Sequence, residues 1–262
     1  MHFSRSSGSD LILGTQNLLS YLINIRHHHV FDVKTANCSP DFRLRYVTVV
    51  HLGEKDVDEV SEGTNLQALI DADILDSEIV LVLSNRKNAY GLVRAASASP
   101  PIPTAYLALQ PYLKNNPNKT RADYDAEVAR IVLSAKPDVV VLAGWMHIFG
   151  DGFLELLDGR KALDGEGEAA SIPTINLHPA LPGAFDGANA LQRAYDAFQR
   201  GEIERSGAMV HRVVKDVDQG EPIVVREVPM EMGESIERFE ARLHAVEHEI
   251  IVEATQRVLD EL

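Results

Sequence analysis

The sequence predicts an α/β fold, a Rossmann-like and mostly parallel sheet with helices on both faces. Seven short segments have the composition of strands, and most of them are apolar on both faces, as the buried strands of parallel sheets are. Stretches with apolar residues at helical spacing separate these strands. With 262 residues, 45% of them hydrophobic, the chain is long enough to bury a large core.

Strands and helices alternate from residue 44 onward. The predicted strands are 46–52, 78–84, 104–109, 138–144, 174–178, 208–214 and 222–228. The predicted helices are 65–75, 88–98, 121–135, 188–201 and 235–262. Folds of this class bind ligands at the carboxyl ends of their parallel strands, so we expect the functional residues at that edge of the sheet.

The domain organisation that we predict is an N-terminal extension of uncertain structure over residues 1–43 and one domain over residues 44–262. Residues 11–25 are apolar, but this stretch contains three amide side chains and is too short to span a bilayer. The first nine residues have the Ser and Arg content of a transit peptide, yet Asp10 and the lack of a repeated arginine-rich face argue against one. We therefore predict a cytoplasmic protein that does not associate with membranes.

The charge and the cysteine content exclude several classes of function. The chain has 39 acidic and 25 basic residues, a net charge of −14, which disfavours binding to nucleic acid or to anionic membranes. Cys38 is the only cysteine, so the chain forms neither intramolecular disulfides nor cysteine metal clusters. We interpret the three consecutive histidines at 27–29 as part of a solvated loop. The expected partners are small-molecule substrates, without a metal.

An apolar run ends in the polar motif Asn-Leu-His-Pro, and this motif is the first candidate for catalysis. In a strand Asn176 and His178 point to the same side, about 7 Å apart. Because the motif lies at the carboxyl end of a predicted strand, we interpret it as part of a binding surface. A strand end whose side chains simply bond to solvent is the structural alternative.

A second candidate is the turn after strand 208–214, which contains Asp216 and Asp218. Turn chemistry alone also explains aspartates at such a place. An Asn amide can donate to a developing oxyanion, a His can carry the proton that moves, and an Asp can hold the His as its cation. The Asn-Leu-His-Pro motif contains neither Ser nor Cys, so this set favours direct attack by a substrate amine over a covalent acyl-enzyme.

A third candidate is the start of the first predicted helix, where Gly63, Thr64 and Asn65 precede the apolar residues. Free backbone N–H groups and two side-chain donors at a helix N-terminus can bind a phosphate dianion. An ordinary helix cap explains Thr64 or Asn65 equally well.

Five segments of the chain resemble the phosphoribosylglycinamide formyltransferases, folate-dependent enzymes of purine synthesis, and most of all their fungal-type monofunctional form. The segments are INLHPALPGAFDG, GAMVHRVVKDVDQGEP, VVVLAGWMHIF, GTNLQALIDA and HAVEHEII. The resemblance runs from about Gly63 to about Ala254. It implies the formyltransferase fold and transfer of the formyl group of 10-formyltetrahydrofolate to the amine of glycinamide ribonucleotide.

The resemblance also implies a role for each site residue. Asn176 would bind the formyl oxygen, His178 would act as the general acid, and Asp218 would hold His178. The residues implied to bind the ribonucleotide are Gly63, Thr64, Asn65, Pro179, His244 and Glu247. Those implied to bind folate are Arg121, Met146, His147, Ile148, Phe149, Val214, Lys215, Asp216 and Val217.

The sequence departs from this family directly before Gly63. Ser61 stands where the family has a glycine, and the acidic run 54–62 stands where the family has an apolar strand. One explanation is that 46–52 supplies the first strand and 53–61 form an inserted loop. The other is that the N-terminus has a different origin, such as a mis-joined gene model.

Three alternative functions stay open at this point. Two are other activities of the superfamily, formylation of methionyl-tRNA and hydrolysis of formyl-folate, and the net charge of −14 argues against the first. The third is a non-catalytic folate- or nucleotide-binding role, which the acidic run 54–62 would favour if it lay close to the phosphate loop.

Overall fold

A seven-stranded sheet forms the centre of the protein in a computed structural model, which describes residues 43–50, 63–72, 74, 76–162 and 170–262. The strands are β1 Leu44–Val50, β2 Ser77–Ser84, β3 Thr104–Tyr106, β4 Val139–Ala143, β5 Thr174–His178, β6 Ser206–Arg212 and β7 Pro222–Val228. They are ordered β3-β2-β1-β4-β5-β6-β7. The strands β1 to β5 are parallel to one another, whereas β6 is antiparallel to both β5 and β7. The prediction of a mostly parallel α/β sheet is confirmed.

Seven helices cover the sheet in the described part of the chain. They are α1 Thr64–Asp71, α2 Tyr90–Ser97, α3 Leu109–Asn115, α4 Arg121–Ser134, α5 Asp151–Leu157, α6 Ala190–Gln199 and α7 Ile236–Leu259. All five predicted helices are present, but α3 and α5 were not predicted. Both have only seven residues, too few for a clear helical repeat in the sequence.

The predicted strand 104–109 was wrong at its end. β3 stops at Tyr106, and Leu109 already begins α3. The apolar run Thr-Ala-Tyr-Leu-Ala-Leu gives no sign of this boundary. Pro111 is the signal that a helix begins here, because proline is tolerated in the first turn of a helix, where a backbone N–H would have no partner within the helix.

Alternate residues of β4 point into two separate cores. Val139 and Val141 pack with α7 on one face, where Leu243 and Ile250 are fully buried. Val140 and Leu142 belong to the core on the other face, which α4 and α5 cover. A smaller cluster lies under α1 and α2. The sheet therefore has helices on both faces, as its two-sided apolar strands predict.

The central position of β1 in the sheet bears on how the sequence before Gly63 departs from the family pattern. β1 lies between β2 and β4 and pairs with both along most of its length. Residues 46–50 of the predicted strand thus form a genuine first strand, as the inserted-loop explanation requires, whereas residues 51 and 52 lie outside the described residues. The acidic run 54–62 and residues 1–42 of the predicted extension lie outside the described residues.

The topology brings the candidate segments to one region. β1, β4 and β5 are parallel, so their carboxyl ends share an edge. The loop after β6 starts at the other end of β5, where Val213 N donates to Thr174 O at 2.8 Å. It then folds back over the sheet face to reach the side chains of β5. None of the described helices is both long and apolar enough to cross a membrane.

The core under α7 gives a test of the fold. We expect Leu243→Ala to lower the free energy of unfolding by about 2–5 kcal/mol, because Leu243 is fully buried and its removal leaves a cavity. The matched control is Met232→Ala, since Met232 is 65% exposed and should change stability by about 0.5 kcal/mol or less. Urea unfolding followed by circular dichroism measures both. Equal losses for the two variants would contradict the described packing.

Candidate active site

Asn176 and His178 share one side of β5. Their neighbours Ile175 and Leu177 point into the core under α7, so the two polar side chains point to the opposite face. His178 is only 3% exposed, whereas Asn176 is half-buried. The prediction that the two side chains share a surface is confirmed.

The carboxylate of Asp218 meets both side chains. Asn176 Nδ2 donates to Asp218 Oδ1 at 3.3 Å, and His178 Nδ1 lies 3.4 Å from Asp218 Oδ2. Gly187 N donates to Asp218 Oδ2 at 2.8 Å, which ties the loop after β5 to the same carboxylate. Asp216, two residues earlier, is exposed. The structure thus brings Asn176, His178 and Asp218 together.

His211 is a site residue that the sequence analysis missed. Its Nε2 lies 3.3 Å from Asp218 Oδ1 and 3.2 Å from Asn176 Nδ2. Its Nδ1 lies 2.9 Å from the carbonyl oxygen of Arg212, which can only accept, so this nitrogen carries a proton. Its Nε2 donates to Asp218 Oδ1 when this nitrogen also carries a proton.

A signal for His211 exists in the sequence. Ala208 and Val210 point into the core under α7, so Met209 and His211 lie on the other face of β6. In the β5–β6 pairing His211 is directly opposite Asn176. The alternation along the strand therefore predicts which face of the sheet His211 lies on. That His211 contacts Asn176 is known only once the two strands are paired.

Gly220 allows the loop that carries Asp218 to lie close to His211. A Cβ at Gly220 would lie 1.6 Å from the carbonyl oxygen of Arg212 and 3.3 Å from His211 Nδ1. A side chain at this position would push the loop off the sheet. Asp218 itself has a φ of 57°, in the left-handed region that Asp adopts more readily than most residues.

Burial and hydrogen bonding act against each other at this site. Burial raises the pKa of Asp218, but hydrogen bonds from His211 and from the Gly187 N–H, together with the electrostatic effect of the His178 and His211 imidazoles, lower it by more, so it lies below its ordinary value. Burial lowers the pKa of His178, and the Asp218 carboxylate only partly offsets this. The free protein thus holds an ionised Asp218 beside a His178 that gives up its proton easily.

Three of the predicted ribonucleotide residues lie at the start of α1. Gly63 has a φ of 69°, and a Cβ there would lie 3.1 Å from Gly91 Cα, so glycine permits both the turn and the close approach of α2. Thr64 and Asn65 are the first two residues of α1. The backbone N–H groups at this helix N-terminus are the ones that can bind a phosphate.

Glu247 of α7 lies beside this helix start. It is 5% exposed, and burial raises its pKa to about 7, although a hydrogen bond from Asn65 lowers it. His244 Nε2 lies 3.9 Å from Glu247 Oε2. The structure thus joins Asn65, His244 and Glu247. Pro179 follows directly after β5 and is half-buried.

A further cationic group, which was not predicted, lies near the start of α1. Arg94 Cδ is 3.7 Å from the position of a Cβ at Gly63. Burial, followed by His244 and Arg94, lowers the pKa of His248 on α7, which favours the neutral form of that imidazole.

The predicted folate residues of the segment after β4 adopt an irregular, well-anchored backbone. Arg121 Nη2 donates to the carbonyl oxygen of Ile148 at 2.6 Å. Met146 and Ile148 are 52% and 53% exposed, whereas Phe149 is buried and stacks on Phe153. A pocket of about 380 Å³ lies between this segment and α4, lined by Arg121, Ala122, Asp125, Ile148, Phe149 and Gly150.

The loop 213–218 supplies the remaining predicted folate residues, Val214, Lys215, Asp216 and Val217. Val214 is 45% exposed, and Lys215 Nζ donates to the carboxylate of Asp151 at 3.1 Å. This ion pair links the loop to the first turn of α5, directly after the segment 146–149. The two predicted folate segments are therefore connected.

The arrangement can stabilise and protonate an oxygen or nitrogen that gains negative charge. It offers an amide, two imidazoles and an ionised carboxylate within hydrogen-bond reach of one another. In the described ranges, no group of three or more His, Cys, Asp or Glu side chains is placed to hold a metal ion.

Comparison with known proteins identifies a family for this chain. The model of the family described as formyl transferase matches residues 59–255. A phosphoribosylglycinamide formyltransferase of Schizosaccharomyces pombe is 47% identical over 203 residues, which cover 75% of this chain and 92% of the relative. One of Saccharomyces cerevisiae is 42% identical over 215 residues, which cover 76% of this chain and 94% of the relative.

Solved structures give the same result. The crystal structure of glycinamide ribonucleotide transformylase 1 from Symbiobacterium toebii superimposes with a TM-score of 0.65 at 28% identity. The match covers 82% of this chain and 87% of the other. The similarity thus extends over the sheet and both of its helical layers.

The electrostatics of His178 can be tested by titration. We expect Asp218→Asn to lower the pKa of His178 further, because the carboxylate is the main group that raises it. Asp216→Asn is the matched control, since Asp216 is exposed and should leave the titration unchanged. The ring proton shifts of His178 in NMR spectra, recorded against pH, measure both. A His178 pKa that rises or stays constant in Asp218→Asn would contradict the described pair.

Proposed function

The chain belongs to the formyl transferase family, and on this premise we propose that Asn176, His178 and Asp218 transfer a formyl group from 10-formyltetrahydrofolate to the amine of glycinamide ribonucleotide. The observation that carries the proposal is the contact of these three side chains on the face of β5. The glycine turn before α1 and the irregular segment after β4 follow β1 and β4, which are parallel to β5 and end at the same edge of the sheet. A donor site and an acceptor site can therefore flank one catalytic cluster.

The first step is attack of the substrate amine on the formyl carbon. The carbonyl electron pair moves to the formyl oxygen, and the resulting tetrahedral intermediate carries negative charge there. Asn176 Nδ2 and the protonated ring of His178 stabilise this oxygen. Asn176 Nδ2 lies 3.2 Å from His211 Nε2 and 3.3 Å from Asp218 Oδ1, and both distances are long for hydrogen bonds. A charged oxygen can therefore accept one of the Asn176 N–H groups instead.

Collapse of the intermediate completes the transfer. The bond from the formyl carbon to the folate nitrogen breaks, the carbonyl re-forms, and the nitrogen takes up a proton as tetrahydrofolate leaves. The attacking amine loses one proton, so the overall reaction neither gains nor loses protons. Because burial lowers the pKa of His178, this ring donates its proton readily, while Asp218 holds the imidazolium in place before the transfer.

The two substrates are assigned to opposite sides of His178. Gly63, Thr64 and Asn65 bind the ribonucleotide phosphate at the N-terminus of α1, and His244, Glu247 and Pro179 contact the rest of that substrate. Folate lies against Arg121, the segment Met146–Phe149 and the loop Val214–Asp218. The exposed apolar side chains of Met146, Ile148 and Val214 support the second assignment, because a flat aromatic ligand would cover them.

The proposed location is the cytoplasm, and the proposed partners are the two small molecules alone. The single Cys38 supports a reducing compartment, since the chain does not depend on an internal disulfide. The net charge of −14 supports the absence of nucleic-acid partners.

Activity measurements on variants of the cluster test the mechanism. We expect Asn176→Ala and His178→Ala to lower kcat by a factor on the order of 100 to 1,000, because each removes a donor to the developing charge. Asp218→Asn should also reduce turnover strongly, whereas the control Asp260→Asn, at an exposed position outside both assigned substrate sites, should retain it. The assay follows formation of formylated glycinamide ribonucleotide from 10-formyltetrahydrofolate. Full activity in any of the three cluster variants would exclude the mechanism.

The same assay without an acceptor separates the alternatives. Formate release at the full rate without glycinamide ribonucleotide would indicate a hydrolase. Binding of both ligands by calorimetry without any product would indicate a non-catalytic relative. The proposed transferase requires product that depends on the ribonucleotide.

The phosphate site gives an independent test. We expect Gly63→Ala to raise KM for the ribonucleotide several-fold and to leave KM for folate within about twofold, because a Cβ at Gly63 strains the turn and meets Gly91 at 3.1 Å. Gly233→Ala is the matched control, since Gly233 has a φ of 77° but a Cβ there meets nothing within 4 Å. Steady-state kinetics with each substrate varied in turn measures both. An equal rise in the two KM values would argue against the assigned phosphate site.

A further inference from the structure

The carboxylate of Asp125 fastens the irregular segment 147–150 to α4 at two points. His147 Nε2 donates to Asp125 Oδ1 at 2.7 Å, and Gly150 N donates to Asp125 Oδ2 at 2.9 Å. Each oxygen thus binds a different end of the segment. We call this group of Asp125, His147 and Gly150 the Asp125 clasp.

The carboxylate of the clasp is buried, and both of its oxygens accept hydrogen bonds. Asp125 is 1% exposed, and a buried carboxylate is costly unless it is hydrogen-bonded or paired. His147 and Gly150 provide these bonds. The His147 ring makes edge contacts with Tyr124 at 5.3 Å and Phe149 at 5.4 Å, measured between ring centroids, so neighbouring side chains hold it in place.

The start of α4 sets the position of the clasp. Thr120 and Asp123 form a capping box, in which Asp123 N donates to Thr120 Oγ1 at 3.3 Å and Thr120 N donates to Asp123 Oδ2 at 2.8 Å. This cap fixes the first turn, from which Arg121 bonds to Ile148 O. Asp125 follows one turn later on the same side. The helix therefore holds the segment at its middle and at both of its ends.

We propose that Asp125 is a positioning residue for folate, and that it acts by fixing the backbone between His147 and Gly150. This inference rests on the proposed function, in which that segment binds folate. Met146 and Ile148 are half exposed beside the clasp, so their orientation toward a ligand depends on the backbone that the clasp holds. Asp125 touches neither the catalytic cluster nor the residues assigned to the ribonucleotide.

Kinetics of Asp125→Ala tests the proposal. We expect KM for 10-formyltetrahydrofolate to rise on the order of tenfold, because two buried hydrogen bonds to the segment are lost. KM for the ribonucleotide should stay within about twofold. Asp125→Asn should recover most of the loss, because its Oδ1 can accept from Gly150 N while its Nδ2 donates to the other tautomer of neutral His147.

A control on the same helix separates the clasp from the charge of α4. Glu127→Gln also removes one carboxylate, but Glu127 is bonded to Arg130 and faces away from the segment. It should behave like the unmodified protein. If Asp125→Ala does not fold, His147→Leu decides instead, because it removes one clasp bond and leaves the other in place. A folate KM unchanged in the folded variant, or a parallel rise in both KM values, would overturn the proposal.

A direct binding measurement keeps this test separate from the proposed function. Trp145 is the only tryptophan of the chain, and its ring stacks on Phe149 with centroids 5.3 Å apart, so its fluorescence reports ligand binding at the segment. The dissociation constant of tetrahydrofolate should rise in Asp125→Ala as KM does. If the unmodified protein binds tetrahydrofolate but forms no product, the proposed transfer fails, and the same comparison of dissociation constants still decides the role of Asp125.

Discussion

The site depends on one carboxylate, that of Asp218, which has four partners. It accepts from the side chain of Asn176 on β5 and from the backbone of Gly187, and it contacts the imidazoles of His178 and His211. These partners belong to two strands and one loop, and Asp218 lies in a second loop, so the carboxylate determines how these four elements meet. Hydrogen bonds and the neighbouring imidazoles lower its pKa by more than burial raises it, so they favour the ionised form.

A comparison with Glu247 shows that burial alone does not set the charge of a carboxyl group in this protein. Both side chains are largely buried. Asp218 accepts from Asn176 and from Gly187 N, whereas Glu247 accepts a hydrogen bond from Asn65 and lies 3.9 Å from His244 Nε2. Its pKa is raised to about 7, whereas that of Asp218 is lowered. The difference in donors thus gives the two carboxyl groups opposite electrostatic character. One stays ionised beside the reacting groups, and the other is poised to change its charge near neutral pH.

The sequence predicted those features that depend on composition or on local spacing. Long apolar runs located all seven strands, and the two-residue spacing placed Asn176 and His178 on one face. Features that arise only from tertiary contacts were missed. His211 became part of the site through the antiparallel pairing of β5 with β6, and Asp125 reads in the sequence as an ordinary helix residue until the segment after β4 folds against it. Short helices such as α5 have too few residues for a helical repeat to be recognised in the sequence.

The return of the loop after β6 across the sheet face has a consequence for how the protein acquires activity as it folds. Asn176 and Asp218 are 42 positions apart, and their contact requires that β6 first pair with β5 in antiparallel register. The pairing of β1 with β4 joins residues that are farther apart, such as Tyr46 and Val139, so sequence separation alone does not make the docking of β6 the slower step. A chain in which β6 has not docked on β5 holds Asn176 and His178 but lacks the group that orients them. Recovery of turnover during refolding therefore requires the docking of β6, whichever strands pair first.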